Sequence, residues 1–240
     1  KWYPLACWFL EIALVYYSLS ARSLLEAGMD VFDALGAKGV AAGRRMVAHI
    51  VGRDVSRLDQ SGVSRAALES VAENMVDGVI APLFFAALGG APLALTYKMI
   101  NTLDSMVGYT NENYLLFGRA AARIDDAANW LPARLAVGLT TIGAGLTGFN
   151  ARQAWRTGWR DGRLHASPNA GFAEAAFAGA LRVRLGGPNV YHGRIVAKPW
   201  IGATLKDVQP GDIVRAGVLM LTTATLAMLV LWSMRALIWL

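Results

Sequence analysis

The 240-residue sequence has one cysteine, Cys7, so it carries no disulfide framework and no cysteine-based zinc site. Charge is scarce as well. Charged residues make up 17% against 55% hydrophobic, a balance too apolar for an ordinary soluble domain of this length. Strand signals are weak throughout, and the sequence shows neither internal repeats nor a low-complexity tract. It has no Walker A pattern and no Gly-x-Gly-x-x-Gly, so nucleotide use cannot be read from a standard motif. These absences leave an all-α, polytopic membrane protein as the expected class.

A spanning helix needs roughly 20 apolar residues. Residues 3–25, 132–149 and 216–240 meet that need. A fourth stretch, 79–97, is interrupted by Gly89-Gly90-Ala91-Pro92, and its halves are each too short for ~30 Å of hydrocarbon. A re-entrant or broken helical hairpin near Gly89-Gly90 is expected, with a tilted, kinked single helix as the competing reading. The net charge of +6 comes from basic residues spread along loops, which argues for anionic lipid rather than nucleic acid as the partner. Ten Lys and Arg fall in 152–215 and six in 38–65, against three in 98–123, so both basic stretches read as cytoplasmic. The chain opens at Lys1 without the cleavage pattern of a signal peptide, and the expectation is that the beginning of the protein is missing. One membrane-embedded domain spanning 1–240, with a cytoplasmic polar region at 150–215, follows from this reading. Residues 34–57 read as short surface helix and loop, 64–77 as a helix capped by Ser64, and 111–130 as a polar-faced helix ending at Pro132.

Chemistry concentrates in three places. Glu69, Glu73 and Asp77 recur every four residues and so share one helix face with Asn74 nearby. Beside lipid those charges need a divalent cation, basic side chains or water, and oxygen-only donors favour Mg²⁺. A solvated face at the bilayer edge is the plain alternative. A second set places Lys98, Asn101 and Asp104 at i,i+3 spacing, with Glu112, Asp125, Asp126 and Asn129 following. The third is His165-Ala-Ser167-Pro-Asn169-Ala-Gly171, then Glu174, Arg182 and Arg184, where turn N–H groups and the arginines suit an anion.

Taken in order, Gly52-Arg53-Asp54, Glu69-Ser-Val-Ala-Glu-Asn74, Asp77-Gly78, Asn101-Thr-Leu-Asp-Ser-Met106, Asp125-Asp126-x-x-Asn129-Trp130 and Ser167-Pro-Asn-Ala-Gly171 closely resemble the adenosylcobinamide-phosphate synthase family of cobalamin biosynthesis. The resemblance runs from about Arg22 to about Gly202. Two departures stand out: the family's N-terminal Asp-Pro and His-Pro elements are absent, and His165-Ala166 replaces the more familiar His-Pro. The resemblance implies an enzyme of the bacterial or archaeal cytoplasmic membrane, its active site facing the cytoplasm. It would use ATP and Mg²⁺ to join a propionate of adenosylcobyric acid to aminopropanol or its O-phosphate, through an acyl phosphate. Other late cobalamin-biosynthesis membrane enzymes are implied neighbours, and an oligomer stays open. For that reaction Glu73, Asp77, Asp104 and Asp126 are the expected metal ligands. Lys98, Arg182 and Arg184 would clamp phosphates, while Asn74, Asn101, Asn129, Ser167 and Asn169 contact substrate. Glu69, Glu112 or His165 would take the ammonium proton. A transporter of a corrinoid or ion, a metal-dependent phosphoalcohol transferase and a structural partner of a corrinoid-processing complex remain as alternatives.

Overall fold

The computed structural model describes residues 3–107, 115–191 and 193–238. Among the described residues eight α-helices dominate: α1 Tyr3–Ser18, α2 Ala21–Val47, α3 Gln60–Met75, α4 Ala81–Val107, α5 Leu115–Leu146, α6 Ala151–Asp161, α7 Ala170–Leu181 and α8 Pro210–Ile238. Two short antiparallel pairs qualify the all-α expectation: β1 Leu185–Gly186 with β4 Trp200–Ile201, and β2 Asn189–Tyr191 with β3 Arg194–Val196. Glycines 186, 187, 193 and 202 at positive φ let the chain turn tightly there, a signal hidden in a polar, punctuated stretch.

Helix α3 is the axis of the molecule. Gly62–Leu68 are buried except for Arg65, which is half-buried, and Leu68, Val71, Met75 and Ile80 pack into a core shared with α5, α7 and α8. Its N-cap is Asp59, whose carboxylate accepts the Gly62 N–H at 2.7 Å, rather than the expected Ser64. Ser64 instead lies inside the helix and returns its hydroxyl to the Gln60 carbonyl. After Met75 the helix widens into a π-helical turn, Val76–Ile80, and continues into α4.

Helix α4 breaks at Gly89 and Gly90, the latter with φ +67° and ψ −161°, a conformation open essentially to glycine alone. Pro92 then sits at the start of the second arm, where its missing N–H costs nothing. The arms fold back on each other: Phe85 stacks on Tyr97 with ring centroids 5.1 Å apart, and the Tyr97 hydroxyl lies 3.5 Å from Asp77. In an unbroken helix residues 77 and 97 would stand about 30 Å apart. Arg235 of α8 closes the tip, donating to the Ala86 carbonyl at 2.7 Å and to Glu11 of α1 at 2.8 Å. The break frees the Ala86 carbonyl from its helical partner, and the guanidinium takes that partner's place.

Several expected boundaries move. The first apolar stretch is interrupted at Leu19-Ser20, where the Ser20 N–H donates to the Gly78 carbonyl, so α1 and α2 are separate helices. Of the surface stretch, residues 34–47 belong to the 27-residue α2, kinked at Gly39, and 48–57 form the expected loop. Helix α5 runs through Pro132, because packing of both its flanks against α4, α7 and α8 outweighs the roughly 3 kcal/mol a mid-helix proline costs. Within the polar region, α7 is buried from Gly171 to Leu181. Its small residues allow that: a Cβ on Gly179 would collide with the Gln153 carbonyl of α6. Two segments, Gln60–Met106 and Pro210–Leu237, are long and apolar enough to cross a membrane.

Candidate active site

Three cavities meet at the end of α3. The first, about 410 Å³, is lined by Arg53, Glu69, Glu73, His165, Glu174 and Lys198 among others. The second, about 290 Å³, is walled by Glu73, Asp77, Asp104, Asp125 and Asp126. The third, about 560 Å³, holds His49, Asp77, Lys98 and Asn101. Glu73 belongs to the first two, Asn74 to the first and third, Asp77 to the second and third. Helical spacing puts these three residues at the junction.

The first cavity is bounded by polar bonds that fix its walls. Glu69 accepts Arg53 Nη2 at 2.5 Å on one oxygen and the Gly186 N–H at 2.7 Å on the other. Together with Ser70 Oγ donating to the Ile50 carbonyl, this ties the 48–59 loop and β1 to α3, and the Asp54 N–H donating to the Val190 carbonyl ties the loop to β2. Arg53 is 7% exposed, and its Nε has no hydrogen-bond partner among the described residues. Lys198 donates to the Tyr191 hydroxyl at 3.0 Å. His165 Nδ1 accepts the Ser167 N–H at 3.0 Å, which places the ring proton on Nε2, 3.9 Å from Glu174. Burial, then the charge of Lys198, holds the imidazole below its ordinary value. Burial raises the Glu174 carboxyl well above its ordinary value, and the negative charges of Glu69 and Glu73 add to this.

The second cavity gathers all four expected metal ligands, Glu73, Asp77, Asp104 and Asp126. Asp125, which joins them, accepts Asn101 Nδ2 at 3.3 Å and Asn129 Nδ2 at 3.0 Å. Asn129 Oδ1 accepts the Tyr97 hydroxyl at 2.9 Å, so both ends of that amide are engaged within the protein. Burial pushes the carboxyls of Asp125 and Asp126 up, and Asp126 feels Asp125 in addition. The donors are all oxygen, the set that suits Mg²⁺. Among the described residues no three acids, histidines or cysteines are close enough to enclose an ion by themselves. Such a spread-out set suits an ion that keeps several of its waters rather than a closed protein cage.

Other expected contacts are placed differently. Asn169 is clamped between Arg134 Nη1 at 3.1 Å and the Asp126 carbonyl at 2.8 Å. Ser167 Oγ accepts the N–H groups of Asn169 and Ala170, so those N–H groups of the turn are already matched. Arg182 caps α7 at φ +59° and borders a separate cavity with Lys206 and Arg215. Arg184 forms a two-pronged pair with Asp207 and lies over the Trp200 ring. Neither reaches the three joined cavities. Glu112 lies outside the described residues.

A profile of the family described as CobD/Cbib protein matches residues 1–220. A cobalamin biosynthesis protein CobD of Yersinia enterocolitica is 50% identical over 226 residues, covering 94% of this chain and 71% of that protein. A cobalamin biosynthesis protein CbiB of Salmonella typhimurium is 48% identical over 233 residues, covering 97% and 73%. The chain belongs to the CobD/CbiB family. Its role accordingly lies in cobalamin biosynthesis. No solved structure matches it. Within this CobD/CbiB chain, Arg53, Lys198 and Lys98 line the cavities beside the acids, and of these sequence reasoning placed only Lys98. Arg53 stands in the Gly52-Arg53-Asp54 string and Glu174 is one acid in an apolar helix, so both carry a signal; Lys198 carries none.

Proposed function

We propose that this CobD/CbiB protein is a polytopic membrane enzyme that joins adenosylcobyric acid to aminopropanol or its O-phosphate in an ATP-dependent amide-forming reaction, giving adenosylcobinamide or its phosphate. The observation that carries the reading is the junction at Glu73, Asn74 and Asp77 of a cavity holding fixed cations with one walled by carboxylates. Ligation needs both. Anionic substrate groups require Arg53 and Lys198, and a triphosphate requires Mg²⁺. Glu73, Asp77, Asp104 and Asp126 would hold Mg²⁺, whose charge would offset that of the phosphates. Activation of the propionate as an acyl phosphate would make its carbonyl carbon open to the amine. Asn74, Lys98 and Asn101 orient the reactants, and the stitched 48–59 loop and β1 keep the first cavity's walls in place.

Membrane placement is supported by the two apolar segments and by large apolar side chains exposed on four helices, such as Phe9, Met99, Ile142 and Trp232. Soluble monomers rarely carry contiguous patches beyond a few hundred Å². The α4 hairpin would enter and leave the bilayer on the cytoplasmic side, where residues of the basic stretches border the cavities.

Purified protein given adenosylcobyric acid, aminopropanol phosphate, ATP and Mg²⁺ should yield a product of the amide's mass together with a nucleotide product. Asp104→Asn should lower that rate by about 10-fold or more; an unchanged rate would remove Asp104 from the metal set. Reconstituted vesicles that move a corrinoid but make no amide would replace the ligase with a transporter.

A further inference from the structure

The attacking amine arrives as an ammonium and must lose a proton before its lone pair is free, so the reaction proposed above needs a base in the first cavity. Three side chains there are committed elsewhere. Both oxygens of Glu69 hold donors, Arg53 on one and the Gly186 N–H on the other. The accepting nitrogen of His165 is taken by the Ser167 N–H, and its other nitrogen carries the ring proton. Glu73 opens onto the carboxylate-walled cavity as well, where it serves the metal.

Glu174 has none of these commitments. It is 4% exposed, lines the first cavity, and makes no hydrogen bond among the described residues; the nearest charged partner is His165 Nε2 at 3.9 Å. An acid in the middle of the apolar sequence Ala-Gly-Phe-Ala-Glu-Ala-Ala-Phe has no packing reason to be there. Its helix is also immobilised, because α6 and α7 approach so closely at Gly179 that a Cβ there would collide with the Gln153 backbone. The carboxylate is therefore aimed by a rigid element, as a base must be.

We propose that Glu174 is the catalytic base of this site, the group that takes the proton from the substrate ammonium. This rests on the amide-forming reading. The first ammonium proton passes to a Glu174 oxygen, and the freed nitrogen pair forms the C–N bond at the acyl carbon. The C–O bond to phosphate then breaks, and phosphate leaves with that electron pair and takes the second nitrogen proton. His165 Nε2 lies 3.9 Å from the carboxylate, beyond hydrogen-bond reach, and leaves both of its oxygens free. Glu69 and Glu73 from α3 oppose that form, and Arg53 and Lys198 from the loop and strand segments favour it.

Hydroxylamine separates the step from the rest of the reaction, since it is largely unprotonated at neutral pH and needs no base to attack an acyl phosphate. Glu174→Gln should lose about 100-fold or more in amide formation. It should also form the corrinoid hydroxamate from ATP, adenosylcobyric acid and hydroxylamine at the wild-type rate. Glu174→Asp, with the acid withdrawn by one methylene, should fall between Gln and wild type for the amide and match wild type for the hydroxamate. If both products fall in parallel in the Asp variant, or if Gln leaves the amide rate intact, Glu174 is not the base. Wild-type protein that forms neither product would instead overturn the ligase reading beneath it.

Discussion

Arg235→Met probes the hairpin that positions Asp77 and Tyr97. The guanidinium makes two charge-assisted bonds, 2.7 Å to the Ala86 carbonyl and 2.8 Å to Glu11, with the two charged side chains 18% and 30% exposed. Hydrogen bonds to charged groups contribute about 1.5–3 kcal/mol each. Removing one partner of a buried pair costs about 3–5 kcal/mol, because the other charge is left uncompensated. Glu11 would be stranded beside Trp8, Ile12, Leu83 and Met228, with little to solvate it. Partial exposure of the pair sets the expected loss near the lower end, about 3 kcal/mol. The double variant Glu11→Leu with Arg235→Met removes both charges and leaves only the Ala86 carbonyl unmatched, a cost of about 1–3 kcal/mol. The double should therefore be no less stable than the single Arg235 variant. Guanidinium unfolding of detergent-solubilised protein, followed by tryptophan fluorescence, measures both. A double variant clearly less stable than the single would refute the argument, since the stranded carboxylate would then not be the source of the loss.

Glu69→Gln should destabilise by about 3–5 kcal/mol, because Arg53 at 7% exposure loses its counter-charge and the strap from the 48–59 loop to β1 loosens; limited proteolysis should then cut first within residues 48–59, and cutting elsewhere first would count against the strap. For His165, burial lowers the folded value, so on descending pH the unfolded chain takes the proton first, at about 6.5. Its contribution is present above that value and is lost as pH falls toward the folded one. Melting curves at pH about 7.5 and 5.5 should show a larger drop for wild type than for His165→Gln; equal drops would show that the imidazole is not held neutral.

Much of the site was legible because it is written in helical spacing. Glu73, Asn74 and Asp77 follow one another along one side of α3, and Asn101 and Asp104 sit at i,i+3 on the returning arm, so periodicity alone gathers them. The Gly89-Gly90-Ala91-Pro92 string announced the break. What periodicity could not give was pairing across the chain. Glu69 shares the helix with Glu73, yet it is turned to structural use by Arg53 and Gly186, which lie 16 and 117 residues away in sequence. Arg184 reads as a phosphate ligand in the sequence, but the fold sets Asp207 opposite it. Asn129 and Asn169 are equally ordinary examples: an amide in a motif serves substrate or scaffold according to neighbours that only the fold supplies.

The π-helical turn at Val76–Ile80 makes the protein more sensitive to length than to side-chain identity at that point. One residue advances an α-helix by about 100°, and this turn absorbs one residue more than the regular repeat needs. A single-codon deletion at 78–80 would let the chain snap back to an even helix while swinging everything from Asp59 to Met75 by about 100° relative to the hairpin. Glu73 and Asp77 would then face different cavities although every acid survived. Sequence drift that swaps Val79 for another aliphatic is harmless by comparison, so the segment tolerates spelling changes but not a lost letter.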